Sequence, residues 1–464
     1  MDNMILNCFE EKNIVNSKLP EEWRSQDALN ELSEFLQQNW EQRTIFFDDS
    51  NRSSKQQYLS FTEQKGIRTN NYIGTIAFKG RQINIFPKVF RENINDNETK
   101  NLNINHLLKN LVCWIKYCNR FNSQFINTFA NLDDVSDLRE LFITLYVHYV
   151  KRAIDRELFY RYEEKMEDLS LIKGQLDLKN YINYKIPTGQ QHKIKCNFSE
   201  FEFNNQINRI IKHTCKLITS LTENKNNKKI LRNILIKLND VDDTPCKPSD
   251  CDVIRLSKSH EYYSIILSMS KIFLLNKMSA YEIDINRSFC FLFPTELLFE
   301  GFVGGFISEV LDSEATVTLQ ASDASLISEI VYGEKKLGKS FLMRHDILID
   351  HKEKGLFILD TKYKQIPRFE GNNHLKETLT STVKQTDLYQ VIEYAAHRDL
   401  SNVYLIYPMF RYEDLEPLDI KMIRESVSKK TINIYLVRIP FVFETDVEMT
   451  KQKIRAIIRR ILEK

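Results

Sequence analysis

Glycine, proline and long hydrophobic runs are all scarce in this sequence. Only 12 of its 464 residues are glycine and 10 are proline, which excludes collagen-like chains and disordered chains rich in these residues. No segment approaches the roughly 18 consecutive apolar residues of a membrane-spanning helix. The first residues lack the basic start and long apolar stretch of a signal peptide. We therefore expect a cytoplasmic protein that does not enter a membrane.

Cysteine pairs at zinc-binding spacing and a strong net charge are also lacking. None of the eight cysteines forms a C-x-x-C pair, and the pairs Cys113/Cys118 and Cys246/Cys251 have no matching histidine or cysteine pair. This pattern favours reduced, mostly buried thiols over a structural zinc site. Lysine and arginine total 65 against 63 acidic residues, a net charge of +2. That balance excludes a histone-like polycation but leaves room for a local basic surface.

The residues that are present predict a globular protein with a substantial core. Apolar residues make up 42% of the chain and charged residues 28%, and the length suggests about two to four domains. Residues 1–98 predict a β-rich N-terminal domain. It has a helix over 26–41, a strand over 43–47 and two later strands joined at Lys79-Gly80.

The rest of the chain divides into two further predicted regions. Residues 99–285 are mainly helical by their apolar spacing, with a strand over 171–178 and a charged turn at 223–229. Residues 286–464 alternate helices and strands, including one long helix over 375–398. We therefore predict a mixed α/β fold.

One string of residues matches a nucleotide-binding motif. Residues 333–340 read GEKKLGKS, which fits the phosphate-loop pattern G-x4-G-K-[ST]. A phosphate loop must open a helix, because the amides at the helix N-terminus bind the phosphates. Here Ser340 is followed by FLMRHDILID, a strand pattern. We interpret the string as a turn between strands and predict no ATP or GTP site.

The strongest chemical signal is a predicted β-hairpin formed by FLMRHDILID and LFILDTKYK. If Asp350 pairs with Leu356, then Asp346 stands opposite Asp360. Lys362 lies two residues after Asp360 and therefore on the same face of the sheet. We expect the side chains of Asp360 and Lys362 to line a groove that solvent reaches.

Opposed carboxylates repel each other, and a divalent cation between them removes the repulsion. Mg²⁺ binds one or two protein carboxylates and keeps several waters. A nearby lysine can orient or deprotonate a water, or bind a phosphate. Together these groups predict metal-assisted phosphodiester hydrolysis. The alternative is a pair of edge-strand carboxylates that Lys362 neutralises, without catalysis.

The flanking residues favour the catalytic interpretation. Glu300 lies upstream on an amphipathic helix, and Gln390 and Tyr394 share one face of a downstream helix at i, i+4 spacing. This order of a helix glutamate, a strand aspartate, Asp-x-Lys and Gln-x-x-x-Tyr resembles the PD-(D/E)xK nucleases.

More narrowly, the chain resembles McrC, the nuclease subunit of McrBC-type restriction systems. The segments that carry this resemblance are LLFEGFVGGFI, RHDILID, LDTKYK and the upstream YIGTIAFKGRQINIFPKV. His345 departs from the family, which usually has proline there. Lys173-Gly174-Gln175 stands where the family has Arg-Gly-Arg, which leaves open how that segment works.

The resemblance implies a C-terminal PD-(D/E)xK restriction-endonuclease-like domain over 286–464. It assigns Asp346 and Asp360 to the metal, Lys362 to catalysis, Glu300 to the metal shell or its support, and Gln390 and Tyr394 to accessory roles. The implied cofactor is Mg²⁺, with Mn²⁺ as a substitute. The implied partners are double-stranded DNA and a McrB-like AAA+ GTPase, a hexameric ring whose hydrolysis the N-terminal half stimulates. The alternative function is a non-catalytic regulatory subunit that docks on such a ring and stimulates its NTPase.

The last residues of the sequence predict a basic amphipathic helix. Its isoleucines and leucines share one face, and the other face carries Arg455, Arg459 and Arg460. Such a face is either a solvated surface or a site for the phosphate backbone of DNA, which such contacts bind without reading sequence.

Overall fold

The structure is a computed structural model. It describes residues 5–41, 55–61, 66–91, 103–118, 138–282, 289–327, 329, 331–332, 335–336, 340–366, 375–410, 420–425, 431–444 and 447–464. The strand predicted over 43–47 lies outside these residues. None of the described helices combines the length and the hydropathy needed to cross a bilayer.

The contacts divide the chain into two compact units. Unit 1 combines residues 1–138 with residues 289–464, and unit 2 consists of residues 139–288. The sequence-based division into three regions stays a prediction about function. It differs from the compact units because the first and last predicted regions share one unit.

The helices of the described residues are α1 Gln26–Glu41, α2 Ile104–Tyr117, α3 Leu138–Arg156, α4 Leu178–Asn180, α5 Gln206–Leu221, α6 Lys225–Lys237, α7 Tyr263–Glu282, α8 Thr295–Val310, α9 Leu375–Thr382, α10 Gln385–His397 and α11 Val447–Leu462. The strands are β1 Ile5–Phe9, β2 Asn13–Ile14, β3 Leu59–Phe61, β4 Ile67–Thr69, β5 Tyr72–Phe78, β6 Arg81–Phe86, β7 Arg161–Leu169, β8 Gln175–Leu176, β9 Ile194–Glu202, β10 Phe289–Pro294, β11 Ala315–Ile327, β12 Val331–Tyr332, β13 Lys335–Lys336, β14 Ser340–His351, β15 Gly355–Thr361, β16 Asn402–Met409, β17 Ile420–Glu425 and β18 Thr431–Pro440. The mixed α/β fold is confirmed.

The first sheet of unit 1 has the strand order β1-β6-β5-β10. The predicted turn between β5 and β6 is confirmed: Lys79 and Gly80 have φ angles of 49° and 72°, the left-handed values that a tight hairpin turn requires. Helix α1 packs on this sheet through a cluster that includes Phe35 and Phe78, whose rings stack 5.4 Å apart. The indole N–H of Trp23 donates to the carbonyl of Phe78 at 3.1 Å, so this buried polar group is satisfied.

The second sheet of unit 1 has the strand order β11-β14-β15-β16-β18-β17. Helix α10 covers one face, where Val391 joins Ile358 and Leu405 in one buried cluster. Tyr404 points to the opposite face, because side chains alternate along a strand. Its hydroxyl donates to the carbonyl of Ile461 in α11 at 3.1 Å. The sheet is therefore covered by helices on both faces.

Helices α2 and α8 pack closely beside this sheet. Trp114 of α2 stacks on Phe441 with ring centroids 3.8 Å apart, and its indole N–H donates to the Phe441 carbonyl at 2.6 Å. A Cβ atom added at Gly305 of α8 would lie 1.7 Å from the carbonyl oxygen of Tyr117. Glycine is thus required where the two helices meet.

Unit 2 combines α3, α5, α6 and α7 with an antiparallel sheet of order β7-β9-β8. Buried Glu140 of α3 accepts hydrogen bonds from the hydroxyl of Thr222 and from the amide of Asn227. The predicted turn at 223–229 is wrong, because the side chain of Asn224 accepts from the backbone N–H groups that begin α6.

Three other sequence expectations are settled by the described residues. The strand predicted over 171–178 is reduced to β8, because Asp177 caps the short helix α4. The helix predicted over 375–398 is broken into α9 and α10 between Thr382 and Gln385. All eight cysteines are free thiols, and six of them are buried, as expected.

Candidate active site

The hairpin that carries the two aspartates forms in the predicted register. Asp350 pairs with Leu356, and the last pair of the ladder, Ile347 with Leu359, lies next to Asp346 and Asp360. The hairpin forms because both strands alternate inward and outward side chains around a short polar turn.

The carboxylate of Asp346 is fixed at the open end of this hairpin. Its Oδ2 accepts hydrogen bonds from the backbone N–H of Thr361 at 2.8 Å and from the Thr361 hydroxyl at 2.9 Å. Thr361 is the middle residue of Asp-x-Lys, and the sequence analysis assigned it no role. Because the backbone and the side chain of one residue both donate to Oδ2, Asp346 is held in place and its Oδ1 takes part in neither bond.

Asp360 is fully buried, so the expectation that its side chain lines a solvent-reachable groove is wrong. Its Oδ2 lies 2.5 Å from Nζ of Lys362. No donor in the described residues forms a hydrogen bond to its Oδ1. Burial and the negative charge of Asp346 raise the pKa of Asp360 to about 7, although Lys362 opposes the rise. The negative charge of the two carboxylates is therefore not fully balanced by the ammonium of Lys362.

Lys362 forms an ion pair with Asp360, and its side chain is only 16% exposed. Burial alone would lower its pKa, but the charges of Asp360 and Asp346 outweigh that effect and raise the pKa above its usual value. Lys362 is thus an ammonium ion. Its backbone N–H donates to the carbonyl of Ile406 at 2.8 Å, which fixes the end of the strand.

A chain of hydrogen bonds leads from Lys362 into helix α10. Nζ of Lys362 donates to Oε1 of Gln390 at 3.3 Å, and Nε2 of Gln390 donates to the Tyr394 hydroxyl at 2.7 Å. That hydroxyl donates in turn to the carbonyl of Arg344 at 2.6 Å, two residues before Asp346. The structure therefore brings together the predicted residues of the hairpin and of the downstream helix.

Glu300 contacts the site less directly. It is half-buried and accepts a hydrogen bond from the amide of Gln320. In the part of the chain that is described, no three histidine, cysteine or acidic side chains converge as a metal-binding group. The structure thus does not bring Glu300 to the two aspartates as a third ligand. Gln320 has a φ of 54° next to a bulge in β11, an irregularity that apolar patterning does not reveal.

An open groove of about 850 Å³ gives solvent access to part of this region. Glu300 and Asp346 line it together with Gln390 and Tyr394. The other polar or charged lining residues, which the sequence analysis did not single out, are Gln320, Arg344, Tyr389, Glu393 and Arg424. The groove therefore offers carboxylates and arginines on one surface.

Two carboxylates can hold a divalent cation here. Oδ1 of Asp360 has no donor among the described residues, and the single ammonium of Lys362 faces two carboxylates. Mg²⁺ is commonly held by one or two carboxylates and several waters. The residues present therefore fit Mg²⁺.

The two remaining sequence features are placed as follows. β14 begins at Ser340, so the phosphate-loop string runs into a strand as predicted. Residues 333–334 and 337–339 of that string lie outside the described residues.

Two arginines of the predicted basic helix pair with glutamates. Arg455 pairs with Glu448 at 2.9 Å on α11, and Arg459 pairs with Glu314.

Comparison with models of protein families shows the family to which the chain belongs. The model of the McrBC 5-methylcytosine restriction system component matches residues 67–408. The chain belongs to this McrBC family. No curated protein is significantly similar to this McrBC family member in sequence.

Two solved structures of McrBC assemblies match this chain. One is a chain of the refined half-complex from a tetradecameric assembly of Thermococcus gammatolerans McrB AAA+ hexamers with bound McrC. The match has 15% identity and a TM-score of 0.61, and it covers 98% of this chain and 100% of that one. A second is the cryo-EM structure of the Thermococcus gammatolerans McrBC complex, with 16% identity, a TM-score of 0.45 and coverage of 66% and 88%. The first match shows that this McrBC family member shares the fold of the matched chain.

Proposed function

We propose that this chain is the Mg²⁺-dependent DNA endonuclease subunit of a McrBC-type restriction complex. The observation that carries the proposal is the buried carboxylate of Asp360. Its Oδ1 has no hydrogen-bond donor in the described residues, and its charge competes with that of Asp346 for one ammonium. Such an arrangement destabilises the fold when no cation is bound, and it is typical of a site that binds one.

Asp346 and Asp360 would hold the metal ion. When bound, Mg²⁺ supplies Lewis-acid stabilisation of phosphate charge and lowers the pKa of a coordinated water. The hydrogen bonds from Thr361 orient Asp346 for this role, because both are accepted by its Oδ2. Mn²⁺ would substitute for Mg²⁺, since both prefer oxygen ligands.

Lys362 would act as a cation rather than as a base. Its raised pKa keeps the ammonium protonated at neutral pH, so it cannot remove a proton from water in this state. It can donate hydrogen bonds to a phosphate oxygen and to the attacking water. Gln390 and Tyr394 would orient this ammonium through their hydrogen-bond chain to the Arg344 carbonyl.

The partners that we propose are double-stranded DNA and a McrB-like AAA+ GTPase ring. The similar Thermococcus gammatolerans structure is an assembly of McrB AAA+ hexamers with bound McrC, which supports a ring of this kind as the partner. We propose that the chain stimulates nucleotide hydrolysis by the ring in the cytoplasm, as part of a defence against foreign DNA.

The experiment is reconstitution with a McrB-like AAA+ protein. DNA cleavage is measured with Mg²⁺ and GTP or ATP, and nucleotide hydrolysis is measured in the same complex. We expect wild type to cut DNA and Asp360→Asn to stimulate hydrolysis without cutting. Asp350→Asn is the matched control, because Asp350 lies on the same strand as Asp346 but is exposed. A wild type that stimulates hydrolysis yet never cuts with any divalent metal would instead be a regulatory subunit.

A further inference from the structure

One fully buried carboxylate near the N-terminus connects three distant segments. Glu10 directly follows β1 and has no solvent exposure. Its Oε1 accepts hydrogen bonds from the backbone N–H of Lys88 at 2.9 Å and from the Tyr363 hydroxyl at 2.7 Å. Its Oε2 accepts from the Thr295 hydroxyl at 2.7 Å. Each carboxylate oxygen of Glu10 thus accepts at least one hydrogen bond from the protein.

Two of these three donors lie on the segments that carry proposed site residues. Tyr363 directly follows Lys362, and Thr295 is the first residue of α8, which carries Glu300. The ring of Tyr363 also contacts that of Phe299, the neighbour of Glu300, with centroids 5.9 Å apart. The end of the catalytic strand and the start of this helix therefore meet at one carboxylate.

The electrostatics of this cluster keep Tyr363 as the donor in its hydrogen bond to Glu10. Burial and the adjacent charge of Glu10 raise the pKa of Tyr363 well above its usual value, so the phenol keeps its proton and donates. Burial also raises the pKa of Glu10, while Lys88 and the donated hydrogen bonds oppose the rise. The ammonium of Lys88 lies 4.8 Å from the centre of the Tyr363 ring and pairs with Glu11 at 2.9 Å. A cation and three donors thus surround the buried acid.

We propose that Glu10 is a positioning residue of the nuclease site, which fixes Lys362 and the Glu300 helix relative to each other. This inference rests on the proposed nuclease function. Glu10 touches neither DNA nor metal in this role. It acts because a carboxylate can accept from Tyr363 and Thr295 at once, which ties two segments that no backbone ladder joins. The N-terminal sheet would then shape the catalytic site, beyond any role in binding a partner.

The test uses Glu10→Ala, Glu10→Gln and Tyr363→Phe in the full chain, reconstituted with its motor partner. Single-turnover cleavage is measured against DNA concentration. We expect Glu10→Ala and Tyr363→Phe to lower the maximal rate by at least roughly tenfold, because misplacing a reacting group by ~1 Å can cost ~100-fold. The half-saturating DNA concentration should not change. Glu10→Gln should recover most of the rate, because its amide oxygen still accepts from Tyr363.

The matched control is Glu140→Ala. Glu140 is also a buried carboxylate that accepts side-chain hydrogen bonds, but it belongs to unit 2. We expect this variant to lose comparable thermal stability and to keep its cleavage rate. Hydrogen exchange over residues 355–366 should accelerate in Glu10→Ala and stay unchanged in Glu140→Ala.

Three outcomes would overturn the inference. The first is wild-type cleavage by both Glu10→Ala and Tyr363→Phe while Asp360→Asn is inactive, which leaves the proposed function intact. The second is an equal rate loss in Glu140→Ala, which would reduce the effect to stability. The third is a wild type that cuts no DNA, which removes the proposed function as well. If Glu10→Ala does not fold, Tyr363→Phe decides, because it keeps the aromatic ring and removes only one hydroxyl.

Discussion

Oδ2 of Asp360 and Nζ of Lys362 lie 2.5 Å apart, in an ion pair whose carboxylate is completely buried. The pair is not neutral in its surroundings, because Asp346 adds a second negative charge beside it. The excess charge is what a divalent cation would balance. Removal of Asp360 should therefore weaken metal binding, whereas removal of Lys362 should not.

The first prediction concerns Lys362→Ala and Asp360→Ala. Both should lower DNA cleavage by several orders of magnitude, since one removes an ammonium beside the phosphate and the other a metal ligand. Mn²⁺ affinity, measured by titration calorimetry, should be lost in Asp360→Ala. It should be kept or increased in Lys362→Ala, because a competing cation is removed. Loss of Mn²⁺ binding in both variants would contradict separate roles.

The second prediction concerns the pH dependence of stability without metal. Because the folded-state pKa of Asp360 is raised from 3.8 to about 7, the folded protein holds a proton that the unfolded chain releases. The stability from this group is complete below about pH 4 and is lost as the pH rises to about 7. Asp360→Asn should remove this loss. Its unfolding free energy at pH 8 should exceed that of wild type by on the order of 1 to 4 kcal/mol, and the gain should vanish near pH 4.

Chemical denaturation in EDTA at the two pH values checks this prediction. Saturating Mg²⁺ should reverse it at pH 8, since a ligand that binds only the folded state stabilises that state. An Asp360→Asn variant that is less stable than wild type at both pH values would show that the carboxylate is already fully compensated.

The third prediction concerns Tyr394→Phe. The substitution removes the hydroxyl that accepts from Gln390 and donates to the Arg344 carbonyl, but it keeps the buried ring. We expect the cleavage rate to fall about tenfold and stability to fall by about 1 kcal/mol, the typical value of one hydrogen bond. Tyr407→Phe is the control, because no described residue bonds the Tyr407 hydroxyl. Equal effects in both variants would remove the accessory role.

The fourth prediction concerns the basic face of α11. Each lost phosphate contact lowers the salt dependence of DNA binding by about 0.9 in logarithmic slope. Arg455 and Arg459 already pair with Glu448 and Glu314, so we expect neutralising them together with Arg460 to change the slope by less than about 1. Fluorescence anisotropy with duplex DNA over a range of salt concentrations measures it. A decrease of about 2 or more would identify the face as a DNA-binding surface.

The fifth prediction concerns Gly305→Ala in α8. The new methyl group would overlap the backbone carbonyl of Tyr117, which cannot move aside without shifting α2. We expect a loss of about 3 kcal/mol of stability, the upper part of the range for overpacked cores. Ser308→Ala on the same helix should change stability by less than about 0.5 kcal/mol. Thermal unfolding compares the two, and a Gly305→Ala variant as stable as wild type would contradict the close helix contact.

The hairpin that carries Asp346 and Asp360 was predictable from sequence because its signals are local. Alternating side chains and a short polar turn are sufficient to set the register that brings Asp346 to Asp360. By contrast, β10 carries apolar residues on both faces, so FCFLFP has no alternation to reveal it. The break between α9 and α10 carries no glycine or proline.

The contacts of Glu10 cannot be predicted from any local pattern in the sequence. Its partner Tyr363 is 353 residues away, and the hydrogen bond depends on the assembled fold. The sequence analysis assigned no role to Thr361 or Gln320 for a similar reason. Thr361 donates to Asp346 on the neighbouring strand, and Gln320 donates to Glu300 on α8. Residues 289–464 share one compact unit with residues 1–138, and β10 pairs with β5 across that separation in sequence.

The insertion of unit 2 between the two parts of unit 1 has a consequence for biosynthesis. Strand β5 leaves the ribosome long before β10, its antiparallel neighbour, because all of residues 139–288 are translated in between. Until then the edge of β5 that faces β10 has unpaired backbone groups, and such edges pair readily with other chains. A nascent chain that stalls or is truncated before residue 289 would therefore be prone to aggregate through this edge.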